Sequence, residues 1–155
     1  MSGSRVYLPV FTVTLLLTAG SIAQEKKIQR SDLPAAVEKT VAAQSDGASI
    51  RGFSKEKEKG QTYYEAEMKV NGHSKDILMD MTGAIVEVEE EVAMDSLPAA
   101  VKEGLQAKAG KGKLLKVESI TKHDKLVAHE AVVMTGGKRS EVQVGPEGKP
   151  LDHEE

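Results

Sequence analysis

DLPAAVEKTV spans Asp32 to Val41, and SLPAAVKEGL spans Ser96 to Leu105. The shared pentapeptide stands at Leu33–Val37 and again, 64 positions later, at Leu97–Val101. That period exceeds the usual range of stacked solenoid repeats and points to duplication of a small unit. Leu33, Val37 and Val41 fall at i, i+4 and i+8, as do Leu97, Val101 and Leu105. Apolar residues at this spacing predict a helix with one buried stripe. Pro34 and Pro98 suit a first helical turn, whose N–H groups lack intrahelical partners. Ser31-Asp32 and Asp95-Ser96 precede them as candidate caps at the positive end of the helix dipole. Gly47 and Gly110-Lys111-Gly112 predict the helix ends.

Strand signals follow each helix. Ala48–Lys55 and Lys113–Lys122 are short mixed runs. Gln61–Val70 alternates, with Tyr64, Ala66, Met68 and Val70 on one side and Tyr63, Glu65, Glu67 and Lys69 on the other. A period of two is the mark of a strand. Asn71-Gly72 predicts a hairpin turn, because both residues accept positive φ; Gly136-Gly137 sits in the equivalent place. Asp80–Gly83 and Gly145–Gly148 predict further turns. Ile85–Glu90 and Lys149–Glu154 then predict a closing strand for each unit. Beyond the helices the halves match without a gap at an offset of 65, pairing Gly47 with Gly112, Ser54 with Ser119, Glu65-Ala66 with Glu130-Ala131, and Gly83 with Gly148. The expected fold is therefore α+β, two tandem repeats, each one helix followed by a four-stranded antiparallel sheet. Unit one covers residues 31–91 and unit two residues 95–155.

The N-terminus has a different composition. Arg5 precedes an apolar run from Val6 to Ala19, and Ser21-Ile22-Ala23 supplies small residues suited to signal peptidase. This predicts a cleavable signal peptide over 1–23, followed by a charged lead over 24–30. The run is shorter than the roughly 18 to 20 apolar residues of a membrane span, which weighs against an anchor. The expected location is periplasmic or secreted, with no stable membrane insertion after cleavage. The chain has no cysteine, which removes lipid attachment at a cleavage-site cysteine, disulfides, thiol catalysis and thiolate metal ligands. Its formal net charge of −3 argues against nucleic acid as a partner.

The chain resembles the PepSY-like family, also described as β-lactamase-inhibitor-like. The likeness is carried by Leu33–Val37, Tyr64-Glu65-Ala66, Asn71-Gly72 and Asp80-Met81-Thr82-Gly83. Unit two keeps Leu97–Val101, Glu130-Ala131, Gly137 and Gly148, but has His129 for the aromatic residue and Gly145 for the aspartate. The resemblance implies an exported protein of tandem helix-plus-sheet units. The family name carries an inhibitory role, which fold likeness alone does not transfer.

The inventory of chemical groups is sparse. His73, His123, His129 and His153 form no close ligand pair of the H-x-x-x-H kind. No nucleophile elbow or phosphate loop is present. A non-enzymatic protein with no cofactor is expected. Glu87, Glu89, Glu90 and Asp152 are weak candidates for a calcium site, but they lack the spacing of a calcium loop. A solvated strand end is the preferred reading of that run. Tyr63, Glu65 and Glu67, with Glu130, Val132 and Met134 in unit two, are the candidate partner-binding residues. They share one predicted strand face, and tyrosine and methionine are frequent at interfaces. Both faces of unit two are apolar, so the sequence leaves open which one is buried. The expected function is binding of a protein or peptide, in its sharper form inhibition or modulation of a secreted or envelope hydrolase. The alternative is a ligand- or cation-responsive envelope binding module.

Overall fold

A computed structural model describes residues 25–153 and 155. The predicted signal peptide lies outside the described residues. Chain order is β1 (Lys26–Ile28), α1 (Ala35–Gln44), β2 (Ala48–Glu58), β3 (Gln61–Val70), β4 (His73–Asp80), β5 (Ile85–Glu91), α2 (Ala99–Ala109), β6 (Lys113–Lys122), β7 (Lys125–Thr135) and β8 (Lys138–Val144). All eight strands form one antiparallel sheet, and their order in space is their order in sequence.

This corrects the expected pair of separate helix-plus-four-strand repeats. Glu87–Glu91 of β5 pairs with Glu118–Lys122 of β6, so the two halves share a single sheet. The strands are also distributed unevenly. The predicted closing strand Lys149–Glu154 pairs with no strand among the described residues. Pro150 stands there at the place of Ile85, and proline has no N–H to donate to a ladder. The charged lead gains a strand instead: Lys26–Ile28 pairs with Phe53–Lys55.

One cross-strand row shows how the layers lie. Met68, Lys75, Glu90, Ser119, His129 and Val144 are successive partners across six strands. Met68 belongs to the core under α1, and Val144 to the core under α2. Side chains directly opposite one another share a sheet face, so both helices cover the same side. Val37 and Val41 of α1 meet Phe53, Tyr64, Ala66, Met68, Ile77 and Met79. Val101 and Leu105 of α2, with Leu97, meet Val117, Ala131, Val133 and Val144. The LPAAV helices thus bury the stripe their spacing predicts. Their starts differ in detail from expectation. Pro34 and Pro98 are the caps themselves, in extended conformation, and the preceding Arg30–Asp32 and Met94–Ser96 form short 3-10 turns.

The register also relocates the offset between halves. Phe53 pairs with Ala66, and Val117 with Ala131. Phe53 therefore corresponds to Val117, and Ser54 to Glu118, an offset of 64. Ala66 corresponds to Ala131, an offset of 65. The extra residue lies in β7, where the β6–β7 ladder slips between Ile120 and Thr121. It does not lie before Gly112, where the sequence match placed it. A β-bulge adds one residue to one strand and leaves the flanking ladder intact.

Candidate functional site

The face opposite the helices carries polar side chains that are themselves buried, among them Ser54, Glu118, Glu130 and Gln143. Its composition is unusual for a sheet interior. One row runs Glu67, Asp76, Glu89, Ile120, Ala128. The next runs Ser54, Glu65, Leu78, Glu87, Lys122. A third runs Glu91, Glu118, Glu130, Gln143. Carboxylates from β3 to β7 thus form a nearly continuous acidic surface, with Leu78, Ile120, Ala128 and Val132 between them.

Several of these acids are poorly hydrated. Glu118 is 2% exposed and Glu130 is 7% exposed. Removing a carboxylate from water favours its protonated form, and neighbouring negative charge adds to this. Burial pushes Asp76 up to about 7, helped by Glu65, Glu118 and Glu67. It pushes Glu130 to about 7 as well, even though the Gln143 amide donates to Glu130 Oε2 at 2.8 Å. Glu89 lies well above the ordinary carboxylate range, through burial and then the charges of Glu130, Glu87, Glu118 and Asp76. Glu65 is raised by burial against the opposing effect of a 2.7 Å hydrogen bond donated by Ser54 Oγ. Cations on this face are few. Lys116 Nζ lies 2.6 Å from Glu118 Oε1. Lys27 bridges Glu25 and Glu67. Lys122 reaches Glu155 at 3.4 Å and Glu87 at 3.7 Å.

The candidate binding residues all map to this open face, but to two separate strands. Tyr63, Glu65 and Glu67 lie on β3, and Glu130, Val132 and Met134 on β7. Four strand steps separate β3 from β7, about 19 Å at the usual interstrand spacing. Asp76, Leu78, Glu87, Glu89, Glu118 and Ile120 fill the space between. The tyrosine is placed between Glu56 and Asp80, and its hydroxyl donates to Gln61 Oε1 at 2.7 Å. Of the intervening residues, sequence reasoning singled out Glu87 and Glu89 only as weak metal candidates and missed Asp76, Leu78, Glu118 and Ile120. Alternation in β4 could have flagged Asp76. Glu118 was hidden by the offset, which had matched Ser54 to Ser119.

The weak metal candidates do not converge. Glu87 and Glu89 face the open side, whereas Glu90 lies in the row on the helix side, and Asp152 lies in no strand. Among the described residues a different trio, Glu25, Glu65 and Glu67, brings one oxygen each within 4.8 Å of the others. The ammonium of Lys27 already pairs with Glu25 and Glu67. His129, the counterpart of Tyr64, is buried on the helix side, and its Nδ1 has no hydrogen-bond partner. Burial lowers its pKa, so the ring is neutral.

These features define an antiparallel-sheet protein with two helix-sealed cores on one side and an acidic face on the other. No family model matches the chain, and no curated protein matches it in sequence. Solved structures do share the fold. A candidate periplasmic protein from Bacteroides eggerthii matches with a TM-score of 0.61 at 18% identity, over 77% of this chain and 86% of that one. A BLIP-like protein from Bacteroides fragilis matches with a TM-score of 0.55 at 19% identity, over 77% and 83%. A DUF2874 family protein from Bacteroides ovatus matches with a TM-score of 0.57 at 18% identity, over 77% and 85%. At these identities the likeness establishes the fold alone. It meets the inhibitor-like part of the sequence resemblance at the level of architecture, while the PepSY-like family itself is matched by no model.

Proposed function

We propose that the chain is an exported, non-enzymatic binding protein whose open sheet face receives a basic protein surface. The observation that supports this most is the set of poorly hydrated carboxylates gathered on the sheet face opposite the helices. An incoming lysine or arginine would return Asp76, Glu89 and Glu130 to their charged forms, with charge-assisted hydrogen bonds. Leu78 and Val132, both partly exposed, add apolar area between the charges. Export rests on the leader pattern of residues 1–23 and on the candidate periplasmic protein of the same fold. No helix among the described residues is long and apolar enough to cross a membrane. The sharper form, inhibition or modulation of an exported hydrolase, draws on the likeness to the BLIP-like protein and to the PepSY-like family.

The test is affinity capture from the exported fraction, using wild type and a variant carrying Tyr63→Ala, Glu65→Ala and Glu130→Gln. Both must melt at similar temperatures. Truncating one interface hot spot costs about 2 kcal/mol or more, so partner recovery should fall at least about tenfold. Recovery should also fall with added salt, which screens exposed charge. Equal recovery on folded wild type and variant would place the binding surface elsewhere.

A second reading, a cation-responsive envelope module, is favoured by the convergence of Glu25, Glu65 and Glu67. It requires the ion to displace Lys27. Calcium titration of the Lys27→Ala variant separates the readings: a rise in melting temperature supports this one, and no change removes it.

A further inference from the structure

One end of unit two is strongly basic. Between Gly104 and Val117 the chain holds Lys108, Lys111, Lys113 and Lys116 and no acidic residue. Between Ala131 and Ser140 it holds Lys138 and Arg139, again with no acidic residue. The fold brings these two stretches together. Helix α2 is capped by Gly110, and β6 starts at Lys113. The connection is tied to the helix, because the Gln106 amide donates to Gly110 O at 3.1 Å and to Gly112 O at 3.3 Å. It is also pressed against β7: a Cβ on Gly112 would lie 2.2 Å from Val133 Cγ1 and 2.5 Å from Thr135 Oγ1. Thr135 in turn pairs with Lys138 across the Gly136-Gly137 turn. Lys108, Lys111, Lys113 and Lys138 are thus gathered at one rim of the sheet, all exposed. None of the four forms an ion pair among the described residues, whereas Lys116 is held by Glu118. Leu115 stands beside them, 41% exposed at the irregularity between Leu114 and Lys116. Unit one has no such rim. Its helix-to-strand connection is Ser45-Asp46-Gly47, and its hairpin turn Asn71-Gly72 leads into His73-Ser74.

We propose that this rim docks on an anionic phospholipid surface, with the four lysines at the headgroups and Leu115 at the boundary with the acyl chains. Charge and residue type together select this occupant. Lysine is a flexible point charge, suited to a diffuse layer of headgroup phosphates. Protein interfaces are depleted in lysine and enriched in aromatic residues and arginine. Neither stretch contains an aromatic residue, which also removes a platform for stacking nucleic-acid bases. An exposed leucine among lysines adds apolar burial to the electrostatic attraction. The net charge of −3 does not prevent docking. At physiological salt the screening length is about 8 Å, so charges close to the bilayer outweigh carboxylates further along the sheet. The contact is made at the ends of the strands. The acidic face then points along the membrane instead of into it.

Cosedimentation with vesicles tests this, using the chain from Gln24 so that the apolar leader makes no contribution. The probe is vesicles of phosphatidylcholine and phosphatidylglycerol in equal parts, compared with phosphatidylcholine alone. Wild type should bind the anionic vesicles only, and less as salt is added. Each lysine close to an anionic surface strengthens partitioning about fivefold. Lys111→Gln with Lys138→Gln should therefore weaken binding at least about tenfold. Lys108→Gln with Lys113→Gln should do the same, and serves should the first pair melt early. Lys39→Gln with Lys57→Gln removes equal charge from exposed sites in unit one and should bind as wild type does. Wild type that ignores the anionic vesicles, or binds both kinds equally, would overturn the proposal. So would a unit-one exchange as damaging as the rim exchanges. Self-association of wild type without lipid, lost in the rim variants, would assign the lysines to a second copy and overturn it as well.

Discussion

Gly148→Ala is expected to lower stability by about 4 kcal/mol, through backbone strain and a clash in the packed core. Gly148 has φ +79°, and a Cβ there would lie 2.1 Å from the Ala100 carbonyl oxygen, inside the first turn of α2. Neither backbone can give way cheaply, because α2 is held by Leu97, Val101 and Leu105 in its core. Gly83 occupies the same place in unit one, also with φ +79°, and a Cβ there would lie 2.5 Å from Ala36 O. Gly83→Ala should therefore show a comparable loss. The approach is fastened differently in each half. Thr40 Oγ1 donates to Gly83 O at 2.7 Å, whereas Gly104 stands at the equivalent position, with only its bare α-carbon against Gly148 O. The control is Gly72→Ala, at φ +89° with nothing within 4 Å of the added carbon, expected to cost roughly 1 kcal/mol from conformation alone. Urea unfolding of the three variants checks the ranking. A Gly148→Ala variant as mildly affected as Gly72→Ala would mean that the turn and helix do not pack this closely.

The free protein is expected to gain stability on mild acidification. Asp76 and Glu130, at about 7 when folded, and Glu89, higher still, return to ordinary values near 4 when unfolded. Between those values the folded state holds more protons than the unfolded one. Their contribution is thus complete below the unfolded pKa and lost as pH rises through the folded values. The loss between about pH 5 and pH 8 should be on the order of 2 kcal/mol, after discounting for solvent that reaches the partly exposed groups. His129 acts in the opposite sense. Its lowered folded pKa means that the unfolded state takes up the proton first, so stability is lost below about pH 6.5. Glu38, Asp80 and Glu91 are held below ordinary values and contribute acid lability only further down. Denaturant midpoints at pH 5, 6.5 and 8 for wild type and Glu89→Gln measure the effect. The glutamine variant should gain stability at pH 8 and flatten the profile. Wild type growing more stable from pH 5 to pH 8 would contradict the burial of these carboxylates.

Much of the local structure was legible in the sequence because it is short-range. The Leu33, Val37, Val41 spacing identifies α1, and its repeat identifies α2. Asn71, at φ +51°, and Gly72 form the hairpin expected of them. The assignment of Tyr64 and Met68 to one side and of Tyr63, Glu65 and Glu67 to the other holds, because alternation along a strand is fixed by the pleat. In unit two the pattern was ambiguous: Ala131 and Val133 face α2, while Ala128 and Val132 face away, and all four are apolar. Only the position of α2 distinguishes them. The acidic face was half legible. Its β3 and β7 parts were found by alternation, whereas Glu118 depends on a bulge in β7 that no local pattern announces.

The sequence by itself determined the two helices, the turns after them, the strand pleat and the duplication signal carried by LPAAV. These follow from φ preferences and side-chain periodicity within a few residues. The tertiary structure alone decided that the two halves share one sheet, since β5 and β6 meet through backbone hydrogen bonds that any sequence can make. It alone decided that Lys26–Ile28 joins the sheet, whereas no strand follows Gly148 among the described residues. It also assembled Asp76, Glu89, Glu118 and Glu130 from four strands into one acidic surface. Their shared desolvation is a property of that assembled face, and no residue carries it alone.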